Sequence, residues 1–204
     1  MEITEIKKIG KGQRYSLKVD EIFQGVFEAE ILARHNLKTG QEIEEDFLNS
    51  LKIENGNYAC FDRALNLLEH GMKSQKQVQD YLKGKGYPES CIEKAVEKLA
   101  EYGYLNDLAY ACEYVRLYSQ KDGEKKLRFA LKNKGVEDEL IDQAIEQCLT
   151  DESQEEVCFK LAAKKIKNAE LDIKIRQKVT AYLAGRGFSF ETINRALTRL
   201  KEER

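Results

Sequence analysis

Apolar residues recur at helical spacing through most of the chain, and the same pattern appears three times. The stretches YLKGKGYPESCIEKAVEKL, ALKNKGVEDELIDQAIEQC and YLAGRGFSFETINRALTRL occupy residues 81–99, 130–148 and 182–200. In each stretch the end of one apolar helical run is followed by a glycine and then by a second apolar helical run. Self-similarity of this kind indicates that one supersecondary unit has been built three times.

The three stretches align position by position. The matched residues are Leu82, Leu131 and Leu183; Gly86, Gly135 and Gly187; Tyr87, Val136 and Phe188; Ile92, Ile141 and Ile193; and Ala95, Ala144 and Ala196. Each leucine lies one helical turn after another apolar residue, so both are predicted to face the core. Each glycine is predicted to end its helix in a left-handed cap. Because a further helical pattern precedes each stretch, every unit is predicted to contain three helices.

The N-terminal segment has a different pattern, in which apolar residues alternate with polar ones. EITEIKKI and RYSLKVD read as two strands, and the intervening GKGQ supplies the glycines of a hairpin turn. A third short strand is predicted near FQGVF and a short helix at EAEILARHNL. Beyond Glu44 no further strand is predicted.

We therefore predict a mainly α-helical protein, with tandem three-helix repeats in an extended curved array. A small α+β extension, built on a β-hairpin or three strands, precedes the repeats. The predicted domains are residues 1–57 for the extension and 58–107, 108–154 and 155–204 for the three repeats. Two helix starts carry the capping-box spacing, Ser74 with Gln77 and Ser153 with Glu156.

Composition agrees with a folded helical protein, since 42% of the 204 residues are hydrophobic, 34% are charged and only one is proline. No apolar stretch is long enough to cross a membrane, and MEITEIKKIGKG lacks the apolar core of a signal peptide. We expect a cytoplasmic protein without a membrane partner. The five widely spaced cysteines are predicted to be small buried side chains rather than a disulfide framework.

Motifs that carry chemistry are missing from the sequence. It has no phosphate-binding glycine loop of Walker type, no metal-ligand spacing and no recognisable nucleophile arrangement. The GKGQ stretch comes nearest to a phosphate loop, but a hairpin turn explains it better because no helix follows. We predict that the protein is not an enzyme, needs no cofactor or metal, and hydrolyses neither ATP nor nucleic acid.

Charge is nearly balanced overall, at −2, but residues 155–204 contain twelve basic and seven acidic side chains. Such an excess fits either an electrostatic footprint for nucleic acid or an acidic partner, or simply a solvated helical face. Cations at helical spacing form stripes away from the apolar faces: Lys125, Arg128 and Lys132; Lys160, Lys164 and Lys167; and Lys174 with Lys178. Further cations precede the unit glycines, at Lys85, Lys134 and Arg186, where the helix dipole alone explains them.

Tyrosines are concentrated in the middle of the chain, and their spacing leaves two interpretations. They are Tyr87, Tyr102, Tyr104, Tyr110, Tyr114 and Tyr118. Aromatic rings beside cations can stack on nucleic-acid bases, but rings at helical spacing more often belong to the core or its edge. We interpret most of them as core or core edge.

Several of these stretches together resemble the RecX family, the bacterial regulators of the RecA recombinase. The resemblance is carried by KSQKQVQDYLKGKGY, LAEYGYLNDLAYACEYV and DGEKKLRFALKNKGVEDELIDQAI, with GYLND and the alanine-rich helix after it as the most specific part. It covers residues 58–200, and the N-terminal strands are similar to the extension of longer members. One departure is Glu69, His70 and Gly71, where many relatives are arginine-rich, which implies a less positive first repeat.

The resemblance implies that the partner is the RecA filament on single-stranded DNA, bound in its helical groove. It also implies that the protein restrains ATP hydrolysis and strand exchange and limits filament growth. The residues that match the basic positions of the family are Arg116, Lys125, Arg128, Lys132, Lys134, Lys164, Lys174 and Lys178. We expect a monomer. The alternatives are a protein that binds single- or double-stranded DNA directly and a generic helical-repeat scaffold.

Overall fold

The computed structural model of the protein describes residues 1–166 and 172–203. These residues form three strands followed by ten helices. The strands are β1 (Ile3–Ile9), β2 (Arg14–Val19) and β3 (Ile22–Glu28). The helices are α1 (Ala29–Arg34), α2 (Glu45–Leu68), α3 (Gln75–Gly84), α4 (Glu89–Glu101), α5 (Asp107–Tyr118), α6 (Glu124–Asn133), α7 (Asp138–Cys148), α8 (Asp151–Ile166), α9 (Ile173–Gly185) and α10 (Phe190–Glu202).

The chain divides into two compact units. The first unit comprises Met1–Gly71 and Val78–Tyr104, and the second comprises Met72–Gln77 and Leu105–Arg204. The mainly helical fold class with a small N-terminal sheet is confirmed. The predicted boundary between residues 57 and 58 falls inside α2, and the division into four domains stays a prediction.

The first unit contains the predicted hairpin, and its third strand is also present. The strands form one antiparallel sheet in the order β1-β2-β3. Leu17 is paired with Ile6 on one side and with Gly25 on the other, so the middle strand is hydrogen-bonded along both edges. The buried side chains of the sheet, such as Leu17 and Phe27, pack with Ile31 of α1. The sequence pattern therefore placed these short strands correctly.

A side-chain amide joins α2 to the edge strand of this sheet. The backbone N–H of Glu28 donates to Asn55 Oδ1 at 2.8 Å, and Asn55 Nδ2 donates to the carbonyl oxygen of Val26 at 2.9 Å. The amide thus satisfies one donor and one acceptor that an edge strand would otherwise expose. This pairing anchors the first half of the long helix α2.

The three-helix repeats are α2–α4, α5–α7 and α8–α10, and the predicted positions behave alike. In each repeat the first helix packs against the third. The aligned leucines and isoleucines are all buried: Leu82, Leu131, Leu183, Ile92, Ile141 and Ile193. Burial of the same positions in every copy confirms the repeat register.

Each unit glycine ends its helix as predicted. Gly86, Gly135 and Gly187 have φ values of 84°, 77° and 88°, in the left-handed region. After α6, the N–H of Gly135 donates to the carbonyl of Lys132 and the N–H of Val136 donates to the carbonyl of Leu131. The other two copies repeat this pair of bonds, which is the Schellman pattern.

One predicted helix cap is confirmed and one is wrong. Ser74 and Gln77 form the reciprocal capping box. The Gln77 N–H donates to Ser74 Oγ at 3.3 Å, and the Ser74 N–H donates to Gln77 Oε1 at 3.0 Å. The Ser153 prediction fails because α8 already begins at Asp151. Thr150 takes the capping role there, accepting from the N–H of Ser153 at 3.1 Å.

The cysteines also agree with the sequence interpretation. All five are free thiols, four of them buried and Cys148 half-buried. Burial raises the pKa of the Cys60 thiol to about 11, so it remains protonated at neutral pH. In the part of the chain that the structure describes, no helix has both the length and the hydropathy needed to cross a membrane.

Candidate partner-binding surface

Within the second unit, the start of α6 meets the end of α9. The N–H of Gly123 donates to the carbonyl of Arg186 at 2.8 Å, and the N–H of Lys125 donates to the carbonyl of Gly187 at 3.1 Å. Helix ends leave such amides and carbonyls without intrahelical partners. Here the N–H groups at the start of α6 and the carbonyl groups after α9 satisfy one another. The glycines permit the approach, because a Cβ atom on Gly123 would lie 2.4 Å from the backbone nitrogen of Phe188.

Charged side chains reinforce this junction. The carboxylate of Asp122, which is buried, accepts from Lys126 Nζ at 2.8 Å and from Arg186 Nη1 at 3.4 Å. Arg186 is one of the three cations that precede a unit glycine. Its guanidinium therefore acts inside the protein, bridging the second and third repeats.

A second junction has a similar form at the end of α6. Ser74 Oγ donates to the carbonyl of Lys134 at 2.6 Å, and the N–H of Gln75 donates to Asp107 Oδ1 at 2.8 Å. Burial raises the pKa of the Asp107 carboxyl, and the bond from Gln75 opposes that rise. Gly135 is again required for close approach, since a Cβ atom there would lie 2.4 Å from the Cβ of Lys76.

The structure divides the eight predicted partner-binding cations into two groups, and the first group has partners within the chain. Arg128 Nε donates to Glu124 at 2.6 Å, and its guanidinium also binds Asp142. Lys132 pairs with Asp138 at 2.8 Å, and Arg116 lies 3.8 Å from Glu113. Lys134 holds its ammonium group 5.4 Å from the centroid of the Tyr114 ring. The charges of Arg128, Lys132 and Arg116 are therefore partly offset within the chain, and the charge of Lys134 lies over an aromatic ring.

The second group is exposed, and no described acidic side chain forms an ion pair with its members. It consists of Lys125, Lys164, Lys174 and Lys178. Lys174 and Lys178 stand one turn apart on α9, so they share a face of that helix. Two other lysines were predicted to share a stripe with Lys164. Of these, Lys160 pairs with Glu156 at 3.3 Å, and Lys167 lies outside the described residues. The third repeat therefore contributes three of the four unpaired cations.

The exposed aromatic side chain of Phe129 was not among the predicted site residues. It lies on the face of α6 opposite buried Leu127 and Leu131, with 67% of its surface exposed. Helical spacing places it between Lys125 and Lys132. The sequence did contain a signal for it, because the helical spacing of α6 places Phe129 outside the apolar face formed by Leu127 and Leu131.

Three tyrosines of α5 form a ladder beside a cleft. The ring centroids of Tyr110 and Tyr114 are 6.4 Å apart, and those of Tyr114 and Tyr118 are 4.3 Å apart with the planes inclined by 24°. The cleft, of about 270 Å³, is lined by Met72, Tyr110, Glu113, Tyr114, Leu117, Tyr118 and Lys134. We call it the tyrosine cleft. Burial raises the pKa of the Tyr110 and Tyr114 hydroxyls, so both remain protonated at neutral pH.

The interpretation of most of these tyrosines as core or core edge is confirmed, because four of the six, including half-buried Tyr87, are buried or half-buried. Tyr110 is buried and Tyr114 and Tyr118 are half-buried, as expected for a core edge. Tyr102 and Tyr104 are instead exposed by 59% and 58%. They make an edge-to-face contact with each other, at 6.3 Å between centroids.

These features are suited to binding a macromolecule. Among the described residues, no group of three or more His, Cys, Asp or Glu side chains comes together to hold a metal ion. What the second unit offers is a set of exposed cations, an outward phenylalanine and an apolar cleft. Groups of these kinds contribute to macromolecular interfaces through buried area and through charge.

Comparison with known proteins gives a consistent result along the chain. Three family models match in order: the RecX first three-helix domain at residues 60–99, the second at 106–145 and the third at 152–197. "Regulatory protein RecX" of Clostridium beijerinckii is 32% identical over 96% of this chain and 93% of its own length. The protein of the same name from Clostridium tetani is 29% identical over 96% and 92%.

Solved structures agree with these sequence matches. A crystal structure of regulatory protein RecX matches with a TM-score of 0.74 and 26% identity, covering 95% of this chain and 97% of that one. The crystal structure of RecX from Lactobacillus salivarius matches with a TM-score of 0.68 and 27% identity, covering 72% and 98%.

Proposed function

Because this chain belongs to the RecX family of regulatory proteins, we propose that it regulates the RecA recombinase by binding the RecA filament on single-stranded DNA. In this role it damps ATP hydrolysis, strand exchange and filament growth. The observation that carries the proposal is the match to all three RecX three-helix domains in order, from residue 60 to residue 197.

The surface of the second unit supports this proposal through many small contributions. Exposed ion pairs contribute only about 0.2 to 1 kcal/mol each, so a single lysine gives little affinity. Lys125, Lys164, Lys174 and Lys178 are spread over two repeats, and a filament repeats its own surface along its length. Once one contact has formed, the remaining contacts form at a high effective concentration, so several weak contacts together give a much higher affinity than any one alone. This arrangement suits a regulator that acts on an assembled filament.

Direct binding to DNA is the second candidate function, and Phe129 is the observation that favours it. Its exposed ring, with Lys125 beside it, combines the two groups that hold single strands without sequence preference. Binding of this kind should be tight on bare DNA. It should also fall steeply with salt, in proportion to the number of phosphates neutralised.

One experiment separates the two functions. RecA filaments are assembled on single-stranded DNA with a non-hydrolysable ATP analogue, and co-sedimentation of the protein is compared with its binding to the same DNA alone. The rate of RecA ATP hydrolysis is measured in parallel with ATP. We expect co-sedimentation with the filament, weak binding to bare DNA and a lower hydrolysis rate. If the protein leaves RecA hydrolysis unchanged and fails to co-sediment, the proposal is wrong.

A further inference from the structure

We infer that the tyrosine cleft docks the regulator onto protein, accepting an apolar side chain from a segment that also carries carboxylates. The inference rests on the proposed function and adds to it the site and the chemistry of the contact. It assigns this contact to the protein component of the filament rather than to its DNA.

The walls of the tyrosine cleft are apolar and open to solvent. Leu117 and Met72 are 63% and 50% exposed, although both line a concave site. The volume of about 270 Å³ lies below the roughly 300 to 1,000 Å³ typical of small-molecule sites. A cleft of this size fits one or two side chains of a partner. Interfaces commonly obtain much of their affinity from such an anchored side chain.

Charge around the cleft selects the chemistry of the segment. Among the described residues that line it, Glu113 is the only acidic one, and Arg116 lies 3.8 Å from its carboxylate. Lys134 also lines the cleft, and Lys121 holds its ammonium group 4.6 Å from the centroid of the Tyr118 ring. Arg116 and Glu113 offset each other, whereas neither Lys134 nor Lys121 forms an ion pair with a described acidic side chain. Asp107 and Asp122, which also lie near these rings, accept hydrogen bonds from Gln75 and from Lys126 and Arg186. This surplus of positive charge favours a segment with carboxylates next to its apolar side chain.

The arrangement of the rings favours protein over nucleic acid. A base binds by stacking on an open aromatic face. Tyr114 and Tyr118 already stack on each other at 4.3 Å. Each ring also has an ammonium group over it, from Lys134 at 5.4 Å and from Lys121 at 4.6 Å. A base would have to displace one of these contacts, whereas an apolar side chain needs only the exposed edges beside Leu117.

The test replaces Leu117 by glutamate, which removes apolar area and repels carboxylates. Leu117 is exposed, so Leu117→Glu leaves the core intact. The matched control is Phe190→Glu, since Phe190 is 65% exposed, begins α10 and lies outside the cleft. The probes are RecA filaments on oligo(dT) with a non-hydrolysable ATP analogue, and oligo(dT) alone. We expect Leu117→Glu to weaken filament binding about tenfold or more. Its oligo(dT) affinity and melting temperature should match those of the control.

The other outcomes are distinguishable. If Leu117→Glu and Phe190→Glu bind the filament equally well, the cleft is not a docking site. If Leu117→Glu loses affinity for oligo(dT) to the same extent as for the filament, the cleft belongs to a nucleic-acid surface and the inference is wrong. If the parent protein binds no filament at all, the proposed function has failed, and the inference fails with it.

Discussion

Gly187 of the third repeat is in direct contact with the backbone of Lys126 in the second. A Cβ atom on Gly187 would lie 2.5 Å from the Lys126 nitrogen, closer than two such atoms can approach. Gly187 also has a φ of 88°, a conformation that side chains disfavour. Gly86 shares the conformation, with a φ of 84°, but has no atom within 4 Å of the same position. Gly187 therefore both adopts the left-handed conformation and leaves room for the neighbouring backbone, whereas Gly86 only adopts the conformation.

This difference predicts unequal costs for the same substitution. Gly86→Ala should lower the free energy of unfolding by about 1 to 2 kcal/mol, the cost of a left-handed residue with a side chain. Gly187→Ala should cost about 1 to 3 kcal/mol more, because the backbone at Lys126 must also move. Denaturant unfolding of both variants measures the difference. Equal losses would contradict the close contact at the junction.

Ser74 provides a second test, because its hydroxyl has two roles. It accepts a hydrogen bond from the Gln77 N–H and donates one to the carbonyl oxygen of Lys134, 2.6 Å away. Ser74→Ala should therefore cost more than loss of a cap alone. The control is Ser189→Ala, since Ser189 Oγ caps α10 at 3.0 Å from the Thr192 nitrogen and its second bond, to the Thr192 hydroxyl, stays within the same helix start. We expect about 1 kcal/mol for the control and about 1 to 2 kcal/mol more for Ser74→Ala, measured by denaturant unfolding. If both variants lose the same stability, the bond to Lys134 contributes nothing.

Glu54 predicts a dependence of stability on pH. Hydrogen bonds from His35 Nε2 and Arg34 Nη1, both 2.7 Å long, lower the pKa of its carboxyl. A carboxyl whose pKa is lower in the folded state adds stability above its ordinary pKa of about 4.3 and loses it as the pH falls through the folded value. Glu54→Gln should therefore be less stable than the parent at pH 7, by about 1 kcal/mol or less, and equally stable in strong acid. Thermal melts over a pH series would show this convergence.

Glu89→Gln is the control for this series. Glu89 is exposed and lies 3.9 Å from Lys83, at the limit of an ion pair. The difference between its variant and the parent measures what loss of an exposed carboxylate in the first turn of α4 costs at each pH. A gap between Glu54→Gln and the parent that persists below the folded pKa would assign the effect to packing rather than to charge.

The unpaired lysines of the third repeat predict an effect on inhibition. Replacing Lys164, Lys174 and Lys178 together by glutamate should weaken inhibition of RecA ATP hydrolysis while leaving the fold intact, since all three are exposed. The loss should be a few kcal/mol at most, about 1 kcal/mol for each exposed contact, and smaller in high salt. A dose–response series at two salt concentrations, with circular dichroism of each protein, measures it.

The control for this prediction makes the same change of charge elsewhere. Lys7, Lys8 and Lys11 lie exposed in and after β1, and their triple replacement by glutamate alters net charge equally. It should inhibit RecA like the parent. If the third-repeat variant also inhibits like the parent in low salt, the principal contact lies elsewhere.

The sequence by itself determined the elements and the order in which they repeat. The helices, hairpin and glycine caps follow from local rules, since apolar spacing sets a buried face and a glycine before an apolar residue ends a helix. These rules located Gly86, Gly135 and Gly187 and the burial of the aligned leucines. The predicted cap at Ser153 was the exception, because α8 begins two residues earlier and Thr150 takes the capping role.

Only the tertiary structure decided which side chains remain available to a partner. Nothing local indicates that Asp142 and Asp138 from α7 neutralise Arg128 and Lys132, or that Arg186 pairs with Asp122. These pairs join residues of different helices or of the turns beside them, so they depend on how the helices pack rather than on spacing along one helix. The family resemblance gave eight cations equal standing. Packing engages four of them and leaves the other four, all exposed lysines, without an ion pair among the residues that the structure describes.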